Sequence, residues 1–460
     1  MVLTTYLSGL VSKFKDSRVV NNVTDLVKNI IEHKSIQLWS ISDDKAEYDR
    51  SRRLLDGSLK SVLDAETTSD AILEHGVSKF EKADSVVLLH DPCDIRKSES
   101  EKLENLGIVR DLNGKLINGY STFNTVGVEV NGDNLHPVDI TVYSNGDDHY
   151  VRVKELENYE KGKLQESDDE AVQERANQIA KFLAEDSHLN LPLVAREQIK
   201  RTSEALKEEN KNITVKHVMD RQFDDVDLFE FISQELEDEF IIRVKISRNS
   251  NEVRFDEEKG KKVAVKLKDV DLDHRQVDII EKLRAKKKVY QDAKREIEWG
   301  TLTLNEQTYS VVRVTLKDRK GNEIYKDPML LITNIEVKTV EQALEVYGFY
   351  LMRAKIESVF KFLKDVLGWE EFQLRDYLSI KNIISLAYFV AGYFYHIGSE
   401  LVENPVIELI AQLGGGKGKV TRYFILEGLK KLLLYEFIRK FFERNDVQDA
   451  TLEDMMSFVT

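Results

Sequence analysis

The chain has 460 residues, 42% of them hydrophobic and 32% charged, a composition typical of a globular protein that buries a sizeable core. A single cysteine excludes an internal disulfide and favours a reducing compartment, so we expect a cytoplasmic protein. The formal net charge of −15 argues against nucleic-acid binding over the whole surface, because such binding needs positive charge at least locally.

The first part of the chain, residues 1–78, has a helical pattern. Apolar residues recur there at helical spacing: Val20, Val23, Leu26, Val27, Ile30 and Ile31. Residues at this spacing share one face of a helix, so we expect that face to be buried. We therefore predict a helical region over residues 1–78.

Two aspartates follow apolar, strand-like runs. Val86–Leu89 ends at His90 and Asp91, and the run from Ile213 to Met219 ends at Asp220. Ligands in open α/β sheets gather at the carboxyl ends of strands, so we expect both aspartates at one site. Asp94 is the alternative to Asp91 as the first acidic residue, which is assigned by its place at the strand end.

Between these aspartates the sequence predicts two antiparallel strands and two helices. The strands are expected over 119–130 and 137–143, and the helices over 168–183 and 196–206. The following interval, 245–337, is rich in residues with strand propensity. Its expected strands lie at 262–267, 301–304, 309–316 and 329–333.

Four polar residues near the C-terminal third share one helix face: Tyr350, Arg353, Glu357 and Lys364. At about 100° per residue they fall within an arc of roughly 60°. Such a face is often only solvated, which is the plain alternative. However, a carboxylate can hold a divalent metal, and Arg or Lys can hold phosphates. We call these four the motif residues.

The spacing of the motif residues, Tyr-x2-Arg-x3-Glu-x6-Lys, resembles that of bacterial insertion-sequence transposases of the DDE class, in the cut-and-paste group. The segment Asp220-Arg221-Gln222-Phe223-Asp224 is similar to the family's Asp-Arg-x-Phe-Asp signature. The region of Asp91 matches more loosely, since many relatives have Ser or Thr where this chain has Cys93. The resemblance implies catalytic, metal-binding roles for Asp91, Asp220 and Glu357.

The resemblance also implies a fold: an α/β, ribonuclease-H-like catalytic core interrupted by a β-strand insertion, with helical N- and C-terminal regions. The expected units are a DNA-binding region at 1–78, the first part of the core at 79–244 and the insertion at 245–337. A core helix with the catalytic glutamate would follow at 338–370, and a helical region for dimerisation or end binding at 371–460. The apolar run 383–397 is too short for a confident membrane span, so we predict a buried helix and no membrane association.

The implied activity is excision and strand transfer of an insertion element, through a DNA hairpin, with two Mg²⁺ ions that Mn²⁺ could replace. The implied partners are terminal inverted repeats, target DNA and a second copy of the chain, placing the protein on the nucleoid. An aromatic residue of the insertion, here Trp299, would stack on a flipped base, although a core tryptophan is the alternative. The other expected DNA-binding residues are Tyr350, Arg353, Lys364, Arg243, Lys245 and Arg248.

Two other functions stay open at this point. A ribonuclease-H-like nuclease would use the same metal site without strand transfer. A domesticated, inactive DNA-binding protein would retain the fold without the chemistry. The presence of Asp91, Asp220 and Glu357 disfavours the inactive alternative.

Overall fold

A computed structural model describes residues 3–58, 63–130, 134–256, 261–399 and 404–445. Residues 446–460 of the predicted C-terminal region lie outside these ranges. Within them the chain is a mixed α/β protein built around one large sheet, which confirms the predicted α/β class.

The N-terminal region is helical, as predicted. Its second helix buries the expected apolar stripe from Val23 to Ile31, but the first buried position is Val19, and Val20 is only half-buried. The side chain of Asp16 caps this helix by accepting a hydrogen bond from the backbone N–H of Arg18. The helices are α1 (Leu3–Val11), α2 (Ser17–His33), α3 (Leu38–Ile41), α4 (Lys45–Leu55) and α5 (Ala65–Val77).

Four strands follow: β1 (Ser85–Arg96), β2 (Gly107–Arg110), β3 (Leu116–Glu129) and β4 (Leu135–Tyr143). Strand β3 is antiparallel to β1 on one edge and to β2 and β4 on the other, so the two predicted antiparallel strands are confirmed.

The expectation that β1 ends just before Asp91 is wrong, because β1 continues to Arg96. Pairing with β3 holds β1 in extended conformation as far as Arg96. The parallel neighbour of β1, described next, pairs with it only from Ser85 to Leu89. Asp91 therefore lies within a strand, yet just beyond the end of the parallel pairing.

Four helices and two parallel strands follow β4. Strand β5 pairs in parallel with both β1 and β6, and Asp220 directly follows β5 as predicted. Both predicted helices are present, as α7 and within α8. The elements are α6 (Val153–Glu160), α7 (Glu170–Ala184), α8 (Leu191–Glu209), β5 (Thr214–Met219), α9 (Val226–Glu230), which continues as a π-helical turn, and β6 (Glu239–Arg243).

The predicted insertion is rich in strands, but most of them belong to the central sheet. Four of its strands extend the central sheet beyond β6, in the order β12, β11, β10 and β9, and the other two pair only with each other. The basic stretch 282–288 is the end of a hairpin, which the sequence did not reveal as strand. The elements are β7 (Asn249–Asp256), β8 (Lys261–Lys266), β9 (His274–Ala285), β10 (Lys288–Leu304), β11 (Gln307–Lys317) and β12 (Met329–Thr333).

The motif residues do not lie on one continuous helix, contrary to the expectation for 338–370. A 3₁₀ turn at Arg353–Lys355 separates the helices on either side. The run 383–397 lies in a buried helix, as predicted, and no described helix has both the length and the apolar character needed to cross a bilayer. The helices are α10 (Val340–Met352), α11 (Ile356–Val366), α12 (Tyr377–Ser399), α13 (Pro405–Leu413) and α14 (Arg422–Asn445).

Alternation along β1 shows how the sheet is covered on both faces. Val87 and Leu89 point into a core that they share with α10, α11, α12 and the N-terminal helices. Val86 and Leu88 point the other way, into a core with residues of α5 and α8. Successive side chains of a strand point to opposite faces, so Asp91 belongs to the first of these faces.

Candidate active site

Three carboxylates that are far apart in the sequence converge on one guanidinium, that of Arg353. Its Nη2 atom lies 2.5 Å from Oδ1 of Asp91, to which it donates a hydrogen bond, and 3.9 Å from Oδ2 of Asp220. Its Nη1 atom lies 3.9 Å from Oε1 of Glu357. The structure therefore brings together the three predicted acidic residues, called the acidic cluster below, with Arg353 among them.

The backbone explains this convergence. Asp91 lies in β1 and Asp220 directly follows the neighbouring strand β5, so both lie just past the stretch in which those strands pair. Glu357 lies in the first turn of α11, which packs on β1, while α10 packs on β5 and β6. The 3₁₀ turn between these helices presents Arg353 to the same edge of the sheet.

The members of the cluster differ in their exposure. Asp91 is buried, with 12% of its side chain exposed, whereas the side chain of Asp220 is 30% exposed and that of Glu357 is 68% exposed. Oδ1 of Asp220 also accepts a hydrogen bond of 2.8 Å from the backbone N–H of Gln222. Asp91 is therefore fixed in the floor of the site, and Glu357 lies at its rim.

The electrostatics of the cluster follow from this burial. Desolvation raises the pKa of Asp91 to about 7, although the neighbouring Arg353 lowers it, and the charges of Asp220 and Glu357 raise it further. Burial lowers the pKa of Arg353, but Asp91 and Asp220 more than offset this effect. Arg353 thus stays charged, while Asp91 titrates near neutral pH.

The two remaining motif residues are engaged by the protein itself. Tyr350 is 7% exposed, and burial raises the pKa of its phenol, while Arg243 and Arg353 lower it. The Nζ atom of Lys364 donates a hydrogen bond of 2.6 Å to the carbonyl oxygen of Asp94 and lies 3.0 Å from a carboxylate oxygen of Glu370. Their phosphate-binding roles stay predictions.

Two spare carboxylates of the sequence have partners of their own. Asp94 accepts hydrogen bonds of 3.1 Å from the hydroxyl of Ser121 and from the backbone N–H of Arg110. Asp224 forms an ion pair with Arg248. The arrangement around Arg353 therefore favours Asp91 over Asp94 as the first acidic residue.

The three cations between residues 243 and 248 that were predicted to bind DNA have different surroundings. Arg243 lies close enough to Tyr350 for its charge to lower the pKa of that phenol, and Arg248 is largely buried in its ion pair with Asp224. Lys245 is exposed and lines a cavity that reaches Asp220. Lys245 is thus the best placed of the three to contact a ligand.

Trp299 lies within β10 and is 7% exposed. Its ring stacks on that of His274, with centroids 5.2 Å apart, and its Nε1 atom is buried without an acceptor among the described residues. The ring is covered as the core interpretation expects, and the prediction that it stacks on a flipped base gains no support from this placement.

A cavity of about 730 Å³, called the acidic cavity below, opens over Asp91, Asp220 and Arg353. Its walls include two arginines that the sequence reasoning missed, Arg110 and Arg152. Arg110 comes from β2 and Arg152 immediately precedes α6. No local pattern could have identified them, because only the folded chain places these segments beside the acidic cluster.

The oxygen ligands of the acidic cluster are those that Mg²⁺ prefers. Even so, no three His, Cys, Asp or Glu side chains of the described ranges are arranged to hold a metal ion as they stand. The reason is that the Arg353 guanidinium lies among the carboxylates and Glu357 is mostly exposed. The donor set fits a divalent cation in its chemistry, provided that Arg353 is displaced.

Comparison with known proteins adds no identification. No known protein family matches this chain, and no curated protein matches it. The resemblance to DDE transposases therefore rests on the motif residues, the Asp220 segment and the geometry around Arg353.

Proposed function

We propose that the protein is a DDE transposase, an enzyme that cuts DNA at the ends of an insertion element and joins those ends to target DNA. The observation that supports this most strongly is the convergence of Asp91, Asp220 and Glu357 on the guanidinium of Arg353. Charged residues of unrelated solvated faces would have no reason to meet at one sheet edge beside a cavity.

The strand order supports a ribonuclease-H-like core. Strands β1, β3 and β4 are antiparallel neighbours, and β5 and β6 continue the sheet in parallel on the other side of β1. Two acidic residues then come from adjacent strands, and the third comes from a helix that packs on them. This is the arrangement that the resemblance implies.

The acidic cluster would hold two Mg²⁺ ions, for which Mn²⁺ would substitute. Bound there, divalent cations would supply Lewis-acid assistance to the hydrolysis and transesterification of a phosphodiester. Asp91 and Asp220 line the acidic cavity, and the carboxylate of Glu357, with 68% of its side chain exposed, lies at the rim of the cluster.

Arg353 has a second role in this proposal. It offsets part of the negative charge of the cluster, because its guanidinium lies within 3.9 Å of all three carboxylates. Its Nε atom is buried and has no acceptor among the described residues, so the guanidinium has hydrogen-bonding capacity to spare. A DNA phosphate offers oxygens suited to bidentate contact with arginine, and Arg353 would turn toward it when DNA enters.

The proposed partners are the terminal inverted repeats, target DNA and a second copy of the chain. Joining two element ends requires both to be held at once, which a dimer achieves. Helix α14 exposes several large apolar side chains, including Tyr435 and Phe437, which are 65% and 58% exposed. Exposed large apolar side chains on a helix are typical of a protein–protein interface and support the dimer.

One observation favours a second candidate, an inactive DNA-binding protein. Arg353 lies where the carboxylates converge, and the described side chains form no ready metal site. If that arrangement persisted with DNA and Mg²⁺ present, the chain would bind DNA without cutting it.

The test compares Glu357→Gln with a matched control, Glu345→Gln, in Mg²⁺-dependent cleavage of a labelled duplex with the element end. Glu345 is exposed on α10 and lies outside the acidic cluster. We expect Glu357→Gln to abolish cleavage while sparing DNA binding, and the control to cleave like the wild type. Cleavage retained in Glu357→Gln would refute the assignment.

Two further readouts separate the alternatives. Binding without cleavage by the wild type would favour the inactive protein. Cleavage without joining of the cut end to a second duplex would favour a nuclease, since transfer of a 3′ end is what distinguishes a transposase.

A further inference from the structure

A second large cavity, called the lysine cavity below, adjoins the acidic cavity. Its volume is about 840 Å³, and it shares Asp220 and Gln222 with the acidic cavity. One member of the acidic cluster therefore lines both spaces. A ligand that reaches the cluster from one cavity has the other directly beside it.

The lining of the lysine cavity is strongly basic. Four cations line it, Arg221, Lys245, Lys266 and Lys268, against two carboxylates, Asp220 and Asp327. This excess of positive charge stands out in a chain whose formal net charge is −15. Charge of one sign along a concave wall raises the local concentration of oppositely charged ligands.

Hydrogen bonds hold the backbone around Lys266, which ends β8, and Lys268, which lies in the 3₁₀ turn directly after β8. Leu267 is buried between them, and its N–H donates a hydrogen bond of 2.9 Å to the carbonyl oxygen of Arg248. The guanidinium of Arg313 donates one of 2.9 Å to the carbonyl oxygen of Lys268. The backbone at these lysines is thus tied both to the segment after β6 and to β11, which places both side chains at the cavity.

The charge of these amines is available to a ligand. The Nζ atom of Lys266 donates hydrogen bonds to two neutral oxygens, the carbonyl of Ser247 at 2.9 Å and Oδ1 of Asn249 at 2.7 Å. Among the described residues, neither Lys266 nor Lys268 forms an ion pair, in contrast to the nearby Arg248. An anion can therefore bind without displacing a carboxylate.

We propose that the lysine cavity binds the phosphate backbone of duplex DNA beside the cleavage point. The inference rests on the proposed function and adds Lys266, Lys268 and Arg221 to its DNA-binding surface. Lysine acts toward phosphate as a point charge, so this contact positions the backbone without reading base sequence. Arg110 and Arg152 line the acidic cavity on the other side of Asp220.

The test measures binding of a labelled, mixed-sequence duplex as a function of salt, with chelator present so that nothing is cleaved. Each phosphate contact contributes about 0.9 to the slope of log affinity against log salt. We therefore expect Lys266→Gln/Lys268→Gln to bind more weakly than the wild type, with a slope shallower by about 2.

The matched control is Lys181→Gln/Lys200→Gln, which removes the same charge from exposed positions on α7 and α8. Those side chains are 68% and 57% exposed and lie outside both cavities. The control should keep the wild-type slope. If the double glutamine variant unfolds, Lys268→Gln alone should make the slope shallower by about 1, since its amine has no hydrogen bond to lose among the described residues.

An unchanged slope in the lysine-cavity variants would overturn the proposal. So would lysine-dependent binding that strongly prefers a single strand to the duplex. The proposed function is judged separately, from Mg²⁺-dependent cleavage by the wild type and its loss in Glu357→Gln. If the wild type cleaves DNA but the lysine substitutions leave the salt slope unchanged, only the DNA-binding role of the lysine cavity is refuted. If the substitutions change the slope but the wild type does not cleave, only the transposase proposal is refuted.

Discussion

The pairing of Arg353 with Asp91 makes a prediction that depends on pH. Replacing Arg353 with Met removes the cation and keeps much of the volume, which leaves the buried Asp91 carboxylate without its partner. In the wild type the folded pKa of Asp91 is about 7, and desolvation without Arg353 raises it further. The variant therefore keeps Asp91 protonated to a higher pH.

The direction of this pH dependence follows from the difference in bound protons between the folded and unfolded states. A carboxyl group whose folded pKa is raised costs stability as pH rises from its unfolded pKa toward the folded one. In the wild type this loss ends near pH 7, whereas in Arg353→Met it continues above that pH. The difference in unfolding free energy between the two proteins should thus be smallest below pH 7 and grow above it by up to about 1.4 kcal/mol per pH unit.

This difference in unfolding free energy should not exceed the cost of breaking a buried ion pair, about 3–5 kcal/mol. Only 19% and 12% of the Arg353 and Asp91 side chains are exposed, so solvent screens the pair weakly. Urea unfolding at pH 6 and pH 8, followed by tryptophan fluorescence, measures the difference directly.

The control is Arg439→Met, which removes an exposed i, i+4 pair with Glu443 on α14. Such pairs contribute about 0.5 kcal/mol or less, so this variant should show no growing difference with pH. A free-energy difference for Arg353→Met that is equal at pH 6 and pH 8 would refute the proposed pairing with Asp91.

Two further predictions concern stability. The pKa of His90 lies well below its ordinary value because of burial and the neighbouring His217. Below about pH 6.5 the unfolded chain therefore binds a proton that the folded His90 does not, and the folded protein loses stability. The difference in unfolding free energy between the wild type and His90→Gln should decrease by about 1.4 kcal/mol for each pH unit below that value. A difference that does not change with pH would refute the prediction. Thr339 forms a capping box with Gln342, and Thr339→Ala should cost about 1 kcal/mol in urea unfolding; no loss would contradict the cap.

Part of the site could be predicted from local sequence. Asp220 follows a short apolar strand and caps the next turn, and both features are visible in the order of residues. The spacing of Arg353 and Glu357 by four positions predicts that they are neighbours on one face, and the 3₁₀ turn preserves that proximity. Local sequence patterns therefore predicted correctly that Asp220 follows a strand and that Glu357 lies on a helix.

Other features depend on pairing across the sheet, which no local pattern encodes. Asp91 lies inside β1 because β3 continues to pair with it as far as Arg96. Strand β9 was missed because its side chains are mostly exposed and many are charged, so it lacks the apolar alternation of a half-buried strand. The 3₁₀ turn at Arg353–Lys355 contains no Gly or Pro from which it could have been predicted.

The lining of the lysine cavity also depends on contacts between distant parts of the chain, which the sequence alone does not predict. Lys245 and Lys268 are far from Asp91 in sequence, and they come together with Asp220 only because the β7–β8 hairpin docks on the segment after β6. Sequence reasoning found Lys245 by its closeness to Asp220. It could not find Lys266 or Lys268, whose basic stretch is no more conspicuous than several solvated ones.

The most direct test of the central claim is Mg²⁺-dependent cleavage of a labelled duplex with the ends that flank this gene, comparing wild type with Asp220→Ala. Our account predicts nicking at the element end by the wild type, followed by a hairpin product, and none by the variant. Cleavage by both proteins, or tight end binding with no cleavage by the wild type under any divalent cation, would contradict it.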